Sequence, residues 1–88
     1  MMEVKVTVNN KMGLHARPSA QFVKTAAGFK SDVYIRRDGQ VVNGKSIMGV
    51  MMLAAGMGTE LTISANGEDE EQTLAALIKL FENKFGEE

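Results

Sequence analysis

The 88-residue sequence predicts an α+β fold, an open-faced two-layer sandwich in which helices cover one face of a sheet. Three of its four extended segments alternate apolar and polar residues, as strands do when one face is buried and the other is solvated. Its helical segments carry apolar residues that the sheet must cover. We therefore expect a single domain over residues 1–88 with the order βαββαβα, a four-stranded antiparallel sheet and three helices on one face.

The first strand and the first helix flank a short loop. Alternating valines between Val4 and Val8 predict the strand. Apolar residues recur at helical spacing over 16–27, and Gly28 supplies a stop at the C-terminal end. Residues 9–13 are predicted to form the loop, so His15 lies just before the helix.

A hairpin follows the first helix. Val33 and Ile35 alternate with polar neighbours and predict a second strand. Asp38-Gly39 has the composition of a two-residue hairpin turn, and Gln40 to Asn43 is predicted to return as the third strand.

A short helix is predicted from Ile47 to Leu53. Ser46 precedes it and is placed to cap its N-terminus, while Gly56 and Gly58 are expected to end it. The face expected toward the core consists of Ile47, Val50, Met51 and Ala54. Met48 and Met52 are then partly exposed, whereas a core-filling role stays open for Met51.

The last strand and the last helix complete the order. Alternation over residues 60–65 predicts the strand, and Asn66-Gly67 predicts the turn after it. Asp69 and Gln72 have the spacing of a capping box at the start of the helix. Its apolar stripe consists of Leu74, Leu77, Ile78, Phe81 and Phe85.

Composition excludes several classes of protein. The sequence has no cysteine, which excludes a disulfide framework and thiolate metal sites, and one histidine, which disfavours any other metal site. The longest nearly apolar stretch, Ile47 to Gly58, is shorter than the roughly 20 residues of a membrane span. The first residues lack the pattern of a secretory signal. We expect a soluble cytoplasmic protein without cofactor or metal.

The net charge of −1 conceals an uneven distribution. Residues 1–59 contain eight Lys/Arg against three acids, whereas residues 60–88 contain two lysines against eight acids. This division predicts one basic surface that meets an acidic partner. The acidic overall balance and only five aromatic residues disfavour direct binding of nucleic acid.

His15 is the first candidate for chemistry. At a helix N-cap its ring would lie beside the unpaired amides of Ala16 and Arg17, the Arg17 guanidinium and the positive end of the helix dipole. Pro18 fits the first turn, where its missing N–H has no helical partner. This set suits a dianion bonded to the ring, and Nδ1 is the ring nitrogen from which it would reach both amides. A surface histidine that only caps a helix is the alternative that these residues leave open.

Ser46 and its surroundings are the second candidate. The serine is explained by capping alone, but a phosphate there would also face a helix N-terminus and change the charge of the neighbouring surface. Exposed methionines suit adaptable binding of several partners, and small residues on the first helix leave room for docking beside His15. The partner surface is predicted to comprise Ala20, Lys24, Lys45, Ile47, Met48, Met51 and Met52.

Two stretches carry a specific resemblance. The sequence Gly13-Leu14-His15-Ala16-Arg17-Pro18-Ser19 and the later stretch from Asn43 to Met51, which contains Lys-Ser-Ile-Met-Gly, resemble the HPr family in order and spacing. These are the phosphocarrier proteins of the bacterial phosphoenolpyruvate-dependent phosphotransferase system. The resemblance covers essentially the whole chain.

The resemblance implies a carrier rather than an enzyme. His15 would accept a phosphoryl group on Nδ1 from phosphorylated enzyme I and pass it to IIA domains of sugar permeases, with Arg17 orienting the phosphate. Ser46 would be the site of the HPr kinase/phosphorylase, and its phosphorylated form would bind a catabolite-control transcription factor. The sheet would have the order 1-4-2-3, and we expect a monomer.

Two positions depart from the family pattern. Met12 stands where many members have a small polar residue, and Gly44 stands where an apolar residue is more usual. The acidic last helix is also similar to that of nitrogen-branch carriers, so a regulatory carrier of that branch stays open, as do a non-phosphorylated binding module and a metabolite-binding domain. Histidine at position 15 excludes the catabolite-only homologue that has glutamine there.

Overall fold

The computed structural model describes residues 1–87. Its strands are β1 (Met2–Thr7), β2 (Asp32–Arg37), β3 (Gln40–Asn43) and β4 (Glu60–Asn66). Its helices are α1 (Ala16–Ala27), α2 (Ile47–Met52) and α3 (Glu70–Glu82), and a 3₁₀ turn covers Lys84–Gly86. The predicted order βαββαβα is confirmed, with the short turn as an addition.

The four strands form one antiparallel sheet in the order β1-β4-β2-β3. Ile63 lies near its centre, opposite Val4 of β1 and Ile35 of β2. Val42 of β3 lies opposite Ile35 and continues this row. The predicted topology, with the first strand beside the fourth, is confirmed.

One face of the sheet is buried under the helices. Val33 and Ile35 of β2 are buried and Tyr34 between them is exposed, as the alternation predicts. Phe22 of α1 and Leu77 of α3 are fully buried against this face. Burial of each such side chain stabilises the fold by about 1.5–3 kcal/mol. The core also contains Val8, Leu14, Ala26, Val50, Leu53, Ala55, Leu61, Ala65, Leu74, Phe81 and Phe85.

Helix α2 ends earlier than predicted. Its C-cap is Leu53, and Ala54 follows with a left-handed φ of 50°, so neither Gly56 nor Gly58 ends the helix. Arg37 donates to the carbonyls of Leu53 (2.6 Å) and Ala54 (3.1 Å). These bonds satisfy carbonyl groups that the helix leaves unpaired at its end.

The predicted core face of α2 is wrong in part. Val50 is fully buried, but Ile47, Met51 and Ala54 are exposed. Leu53, at the C-cap, is buried in place of Ala54. Because α2 has fewer than two turns, only one narrow side of it reaches the core.

The predicted capping box of α3 is wrong. Asp69 is the N-cap, but its side chain makes no capping hydrogen bond. Its carboxylate accepts from the Lys30 amide (2.8 Å), the Ser31 amide (2.9 Å) and the Ser31 hydroxyl (2.5 Å). Asp69 therefore fixes the connection between α1 and β2.

Phe85 does not belong to the last helix. Helix α3 ends at Glu82, and Phe85 lies in the 3₁₀ turn, buried against Phe81 in an edge-to-face arrangement with ring centroids 4.9 Å apart. The other residues of the predicted stripe lie on the core side, with Ile78 only partly buried.

No helix within residues 1–87 has the length and apolar character needed to cross a membrane.

Candidate functional site

The loop before α1 is fixed by its backbone. Leu14 donates its amide to the Ala55 carbonyl (2.8 Å), and the Ser19 hydroxyl donates to the Leu14 carbonyl (3.0 Å). Gly13 has a left-handed φ of 68°, and a Cβ there would overlap the Ala55 carbonyl oxygen. These contacts place His15 at the junction of α1 with the end of α2.

His15 is the N-cap of α1, as predicted, but its side chain makes no capping bond. Within residues 1–87 the amides of Ala16 and Arg17 have no hydrogen-bond partner, and the first helical bond starts from Ser19, which donates to the His15 carbonyl (3.0 Å). Pro18 is buried in the first turn and has no amide to satisfy. The positive end of α1 is therefore open to an anion.

The two ring nitrogens of His15 differ in environment. Nε2 lies 3.1 Å from Oε2 of Glu87, and the side chain is 40% exposed. The second Glu87 oxygen, Oε1, accepts from Nδ2 of buried Asn10 (3.0 Å). Nδ1 has no partner among the described residues and is the nitrogen available for a new bond.

Arg17 supplies the full positive charge of the site. It is exposed at the second position of α1, and its guanidinium makes no ion pair within the described part of the chain. A guanidinium in this state can turn toward a phosphate at the helix end and bind it through two hydrogen bonds.

A shallow depression of about 270 Å³ adjoins the ring. It is lined by Met12, Leu14, His15, Met51, Ala54, Ala55 and Gly56. A larger depression of about 460 Å³ lies elsewhere, among Lys5, Arg36, Arg37, Asp38, Thr59, Glu60 and Thr62. It contains no histidine and mixes both signs of charge, so the smaller depression is the better candidate for the reacting groups.

An apolar face extends from His15 along α2. Met48 and Met52 are 75% and 66% exposed, as predicted, and Ile47 and Met51 are also exposed. Ala20 and Lys24 are exposed on neighbouring α1. We call Ile47, Met48, Met51 and Met52 the methionine face. Exposed apolar groups of this size are typical of surfaces that bind other proteins.

Lys45 is less available than the sequence predicts. Its side chain is partly buried, and Nζ donates to the Phe29 carbonyl at 2.9 Å. Because Phe29 follows the end of α1, this contact places Lys45 at the end of the methionine face that is remote from His15.

Ser46 caps α2, as predicted. Its Oγ accepts from the Gly49 amide at 3.1 Å, and the residue is partly buried. Gly44 just before it is also buried, and a Cβ there would lie 2.5 Å from Cγ1 of Val33 and 3.1 Å from Cε1 of Phe22. Glycine at this position is therefore part of the core packing.

Sequence reasoning missed two residues of the site. Glu87 and Asn10 lie 72 and 5 positions from His15, and neither belongs to the motif around it. The one available signal for Glu87 was an acidic residue directly after Gly86, which is too common to identify a contact. Met12, noted as a departure from the family, lies at the depression beside the ring.

Comparison with known proteins identifies the family. The family model described as the phosphorylation site of the HPr component of the phosphotransferase system matches residues 2–83. The chain belongs to the HPr family. Phosphocarrier protein HPr of Xylella fastidiosa is 49% identical over 88 residues, which cover 100% of this chain and 99% of that protein.

Other HPr relatives agree with this assignment. A crystal structure of HPr-C-His from Thermoanaerobacter tengcongensis superposes with a TM-score of 0.96 at 50% identity, covering 100% of this chain and 99% of that one. The HPr-like protein Crh of Bacillus subtilis is 53% identical over 77 residues, or 88% of this chain and 91% of Crh. As a member of the HPr family, this chain is a phosphocarrier protein of the phosphotransferase system.

Proposed function

We propose that His15 accepts a phosphoryl group on Nδ1 from phosphorylated enzyme I and transfers it to a histidine of IIA domains during sugar uptake. The observation that carries this proposal is the open N-terminus of α1, where Nδ1 and two backbone amides are unpaired within residues 1–87. The Arg17 guanidinium adds the permanent charge that a phosphate dianion requires.

The transfer itself is a displacement at phosphorus. The Nδ1 lone pair attacks the phosphorus of a phosphohistidine on the donor, the Nδ1–P bond forms, and the donor nitrogen leaves with the electron pair of the old N–P bond. The next transfer repeats this step with His15 as the leaving group. The carrier contributes positioning and electrostatic stabilisation, while its partners supply the other half of each site.

The strength of the anion site suits a carrier. A helix end stabilises an anion by about 0.3–2 kcal/mol, and a hydrogen bond to a charged group contributes about 1.5–3 kcal/mol. Contributions of this size hold the phosphoryl group without making His15 its final acceptor.

Ser46 is proposed as the regulatory phosphorylation site. It lies at the α2 N-terminus beside the methionine face, so a phosphate there adds negative charge to the surface on which an acidic partner would dock. The HPr kinase/phosphorylase is the proposed modifying enzyme, and a catabolite-control transcription factor is the proposed reader.

Labelling with phosphoenolpyruvate and enzyme I tests the proposal. The wild type should acquire an acid-labile, base-stable phosphate, and phosphorus NMR should assign it to Nδ1. His15→Ala should acquire none, while Ser46→Ala should label like the wild type. Equal labelling of the His15→Ala variant, or none on the wild type, would overturn the proposal and favour a binding module in which His15 carries no phosphoryl group.

A further inference from the structure

The residues after α3 place a carboxylate at His15 by an unusual backbone path. Lys84, Phe85 and Gly86 have positive φ values of 53°, 54° and 76°. Three consecutive left-handed residues reverse the chain, although two of them are not glycine and adopt this region at a cost. The reversal brings Glu87 next to the start of α1.

Buried contacts fix this path. Phe85 is fully buried and packs on Phe81, so it anchors the turn in the core. The Gly86 amide donates to the Asn83 carbonyl (2.9 Å), and the Glu87 amide donates to the Lys84 carbonyl (2.9 Å). Glu87 is therefore held by a packed turn, and its side chain is only 20% exposed.

The hydrogen bonds around Glu87 have a defined direction. The Asn10 side-chain amide donates to the Gly13 carbonyl (2.8 Å), and a carbonyl can only accept. This bond fixes Nδ2 of Asn10 as the group that faces Oε1 of Glu87 and donates to it. A carboxylate also only accepts, so Nε2 of His15 must carry the hydrogen that lies between the ring and Oε2 of Glu87.

We propose that Glu87 is a positioning residue that selects the His15 tautomer with its proton on Nε2, so that the Nδ1 lone pair is free for phosphorus. The inference rests on the proposed phosphoryl transfer to Nδ1 and adds a residue that prepares the ring for it. A carboxylate on one imidazole nitrogen sets the tautomer and orientation of the other in many histidine sites.

The same contact acts during transfer. When the Nδ1 lone pair forms the Nδ1–P bond, the ring keeps its Nε2 proton and gains one positive charge. Oε2 of Glu87 lies 3.1 Å from the Nε2 atom that carries this proton and stabilises the charge. When the phosphoryl group leaves, the Nδ1–P electron pair returns to the ring, which becomes neutral again with the proton still on Nε2.

Glu87→Gln should reverse the tautomer preference of His15, since it replaces one acceptor oxygen by a donor. The Asn10 amide, held by Gly13, still requires an acceptor at the position of Oε1. The side-chain oxygen of the new glutamine would face Asn10, and its NH₂ group would face Nε2 of His15. An NH₂ donor there favours the tautomer with the proton on Nδ1, which blocks the proposed nucleophile.

The readout is the nitrogen-15 NMR spectrum of untagged protein labelled at histidine, recorded at a pH where the ring is neutral. His15 is the one histidine of the chain, so the spectrum reports this ring alone. We expect Glu87→Gln to shift the tautomer ratio toward Nδ1–H by about tenfold, the effect of one exchanged hydrogen bond. Labelling of His15 by enzyme I should slow by up to about the same factor, because the fraction of rings with a free Nδ1 falls.

Glu82→Gln is the matched control. It removes an exposed carboxylate from the last turn of α3 and should leave both the tautomer ratio and the labelling rate unchanged. Amide spectra of Phe85 check that the turn persists in both variants.

The outcomes separate this inference from the proposed function. An unchanged tautomer ratio in Glu87→Gln with an intact turn would overturn the positioning role, even if the wild type labels normally. A shifted ratio in a protein whose wild type takes no label would support the positioning role and overturn the phosphocarrier proposal.

Discussion

Helices α1 and α2 both begin at a residue that we propose to carry phosphate, but the two helix ends are used differently. At α2 the Ser46 hydroxyl occupies the first turn by accepting from the Gly49 amide. At α1 the His15 ring leaves the first turn unoccupied and hydrogen-bonds to Glu87 instead. One end is closed by its own cap, and the other is open.

This difference shows how a helix end that is capped for stability differs from a helix end whose amides are free to bind a ligand. A capped end has already satisfied an amide and gains stability, typically about 1 kcal/mol. An uncapped end leaves amides that bind a ligand instead. In α1 the contacts of Leu14 and Ser19 hold His15 in place without using the amides of Ala16 and Arg17.

The largest expected effect is on the open end. Arg17→Ala should lower the rate of His15 phosphorylation by about ten- to hundredfold, because a charged hydrogen bond to the phosphate is lost. The rate is measured with enzyme I and phosphoenolpyruvate, and circular dichroism checks the helix. Lys79→Ala removes an exposed cation from α3, outside the predicted partner surface, and serves as the control. An equal loss in both variants would show that only net charge matters.

The loop that carries His15 should be destabilised by a substitution at Gly13, which packs against the Ala55 carbonyl. Gly13→Ala should lower the free energy of unfolding by about 1–3 kcal/mol, because alanine at a positive φ is strained and its Cβ would overlap the Ala55 carbonyl oxygen. Urea unfolding measures the change. Gly56→Ala has open space for a Cβ and should stay within about 0.5 kcal/mol of wild type. Similar losses in the two variants would contradict this account.

Two substitutions of Ser46, at the capped end of α2, distinguish the effect of the cap on stability from the effect of charge on labelling. Ser46→Ala should cost about 1 kcal/mol of stability, because the cap on Gly49 is lost, and should leave His15 labelling unchanged. Ser46→Asp keeps a capping oxygen but adds charge beside the docking face. It should slow labelling by enzyme I about two- to fivefold at low salt, as expected for an exposed charge interaction of about 0.5–1 kcal/mol, and less at high salt. An unchanged labelling rate of Ser46→Asp at low salt would refute the docking role.

The start of α3 adds a third helix end to the comparison, and there the stability of the protein should depend on pH. The Ser31 hydroxyl and then the Lys30 amide lower the pKa of Asp69 from 3.8 to about 2. A lowered folded-state pKa stabilises the protein above the unfolded value, and this stability is lost as the pH falls from about 4 through about 2. Asp69→Asn should be less stable at neutral pH and lose less stability across that window. Asp38→Asn is the control, and thermal unfolding between pH 2 and 5 measures both.

The sequence was sufficient for the elements and the motif but not for long-range polar contacts. Alternation and helix signals fixed the order, and the Gly13–Ser19 stretch located His15 and the open amides. The local capping pattern at Asp69 failed because donors 38 and 39 positions away compete for the same carboxylate. Such competition depends on tertiary packing, which a four-residue pattern does not contain.

The contact between Glu87 and His15 is another long-range polar contact that local sequence patterns do not predict. It depends on left-handed backbone at Lys84 and Phe85, for which neither residue has a preference. Burial of Phe85 against Phe81 outweighs that preference. The prediction that Ile47 and Met51 lie on the core face of α2 was wrong for a related reason, since periodicity identifies apolar residues but not which of them the core has room to cover.

The antiparallel packing of α1 and α2 has a consequence for how the two proposed modifications would affect each other. The start of α1 adjoins the end of α2 through Leu14 and Ala55, while Lys45 at the start of α2 reaches past the end of α1 to Phe29. Six helical residues, about 9 Å, and a turn therefore separate Ser46 from His15. That span is comparable to the Debye length in cellular salt, about 8 Å. A seryl phosphate would therefore be sensed mainly by a visiting protein broad enough to cover both ends at once, rather than by the histidine itself.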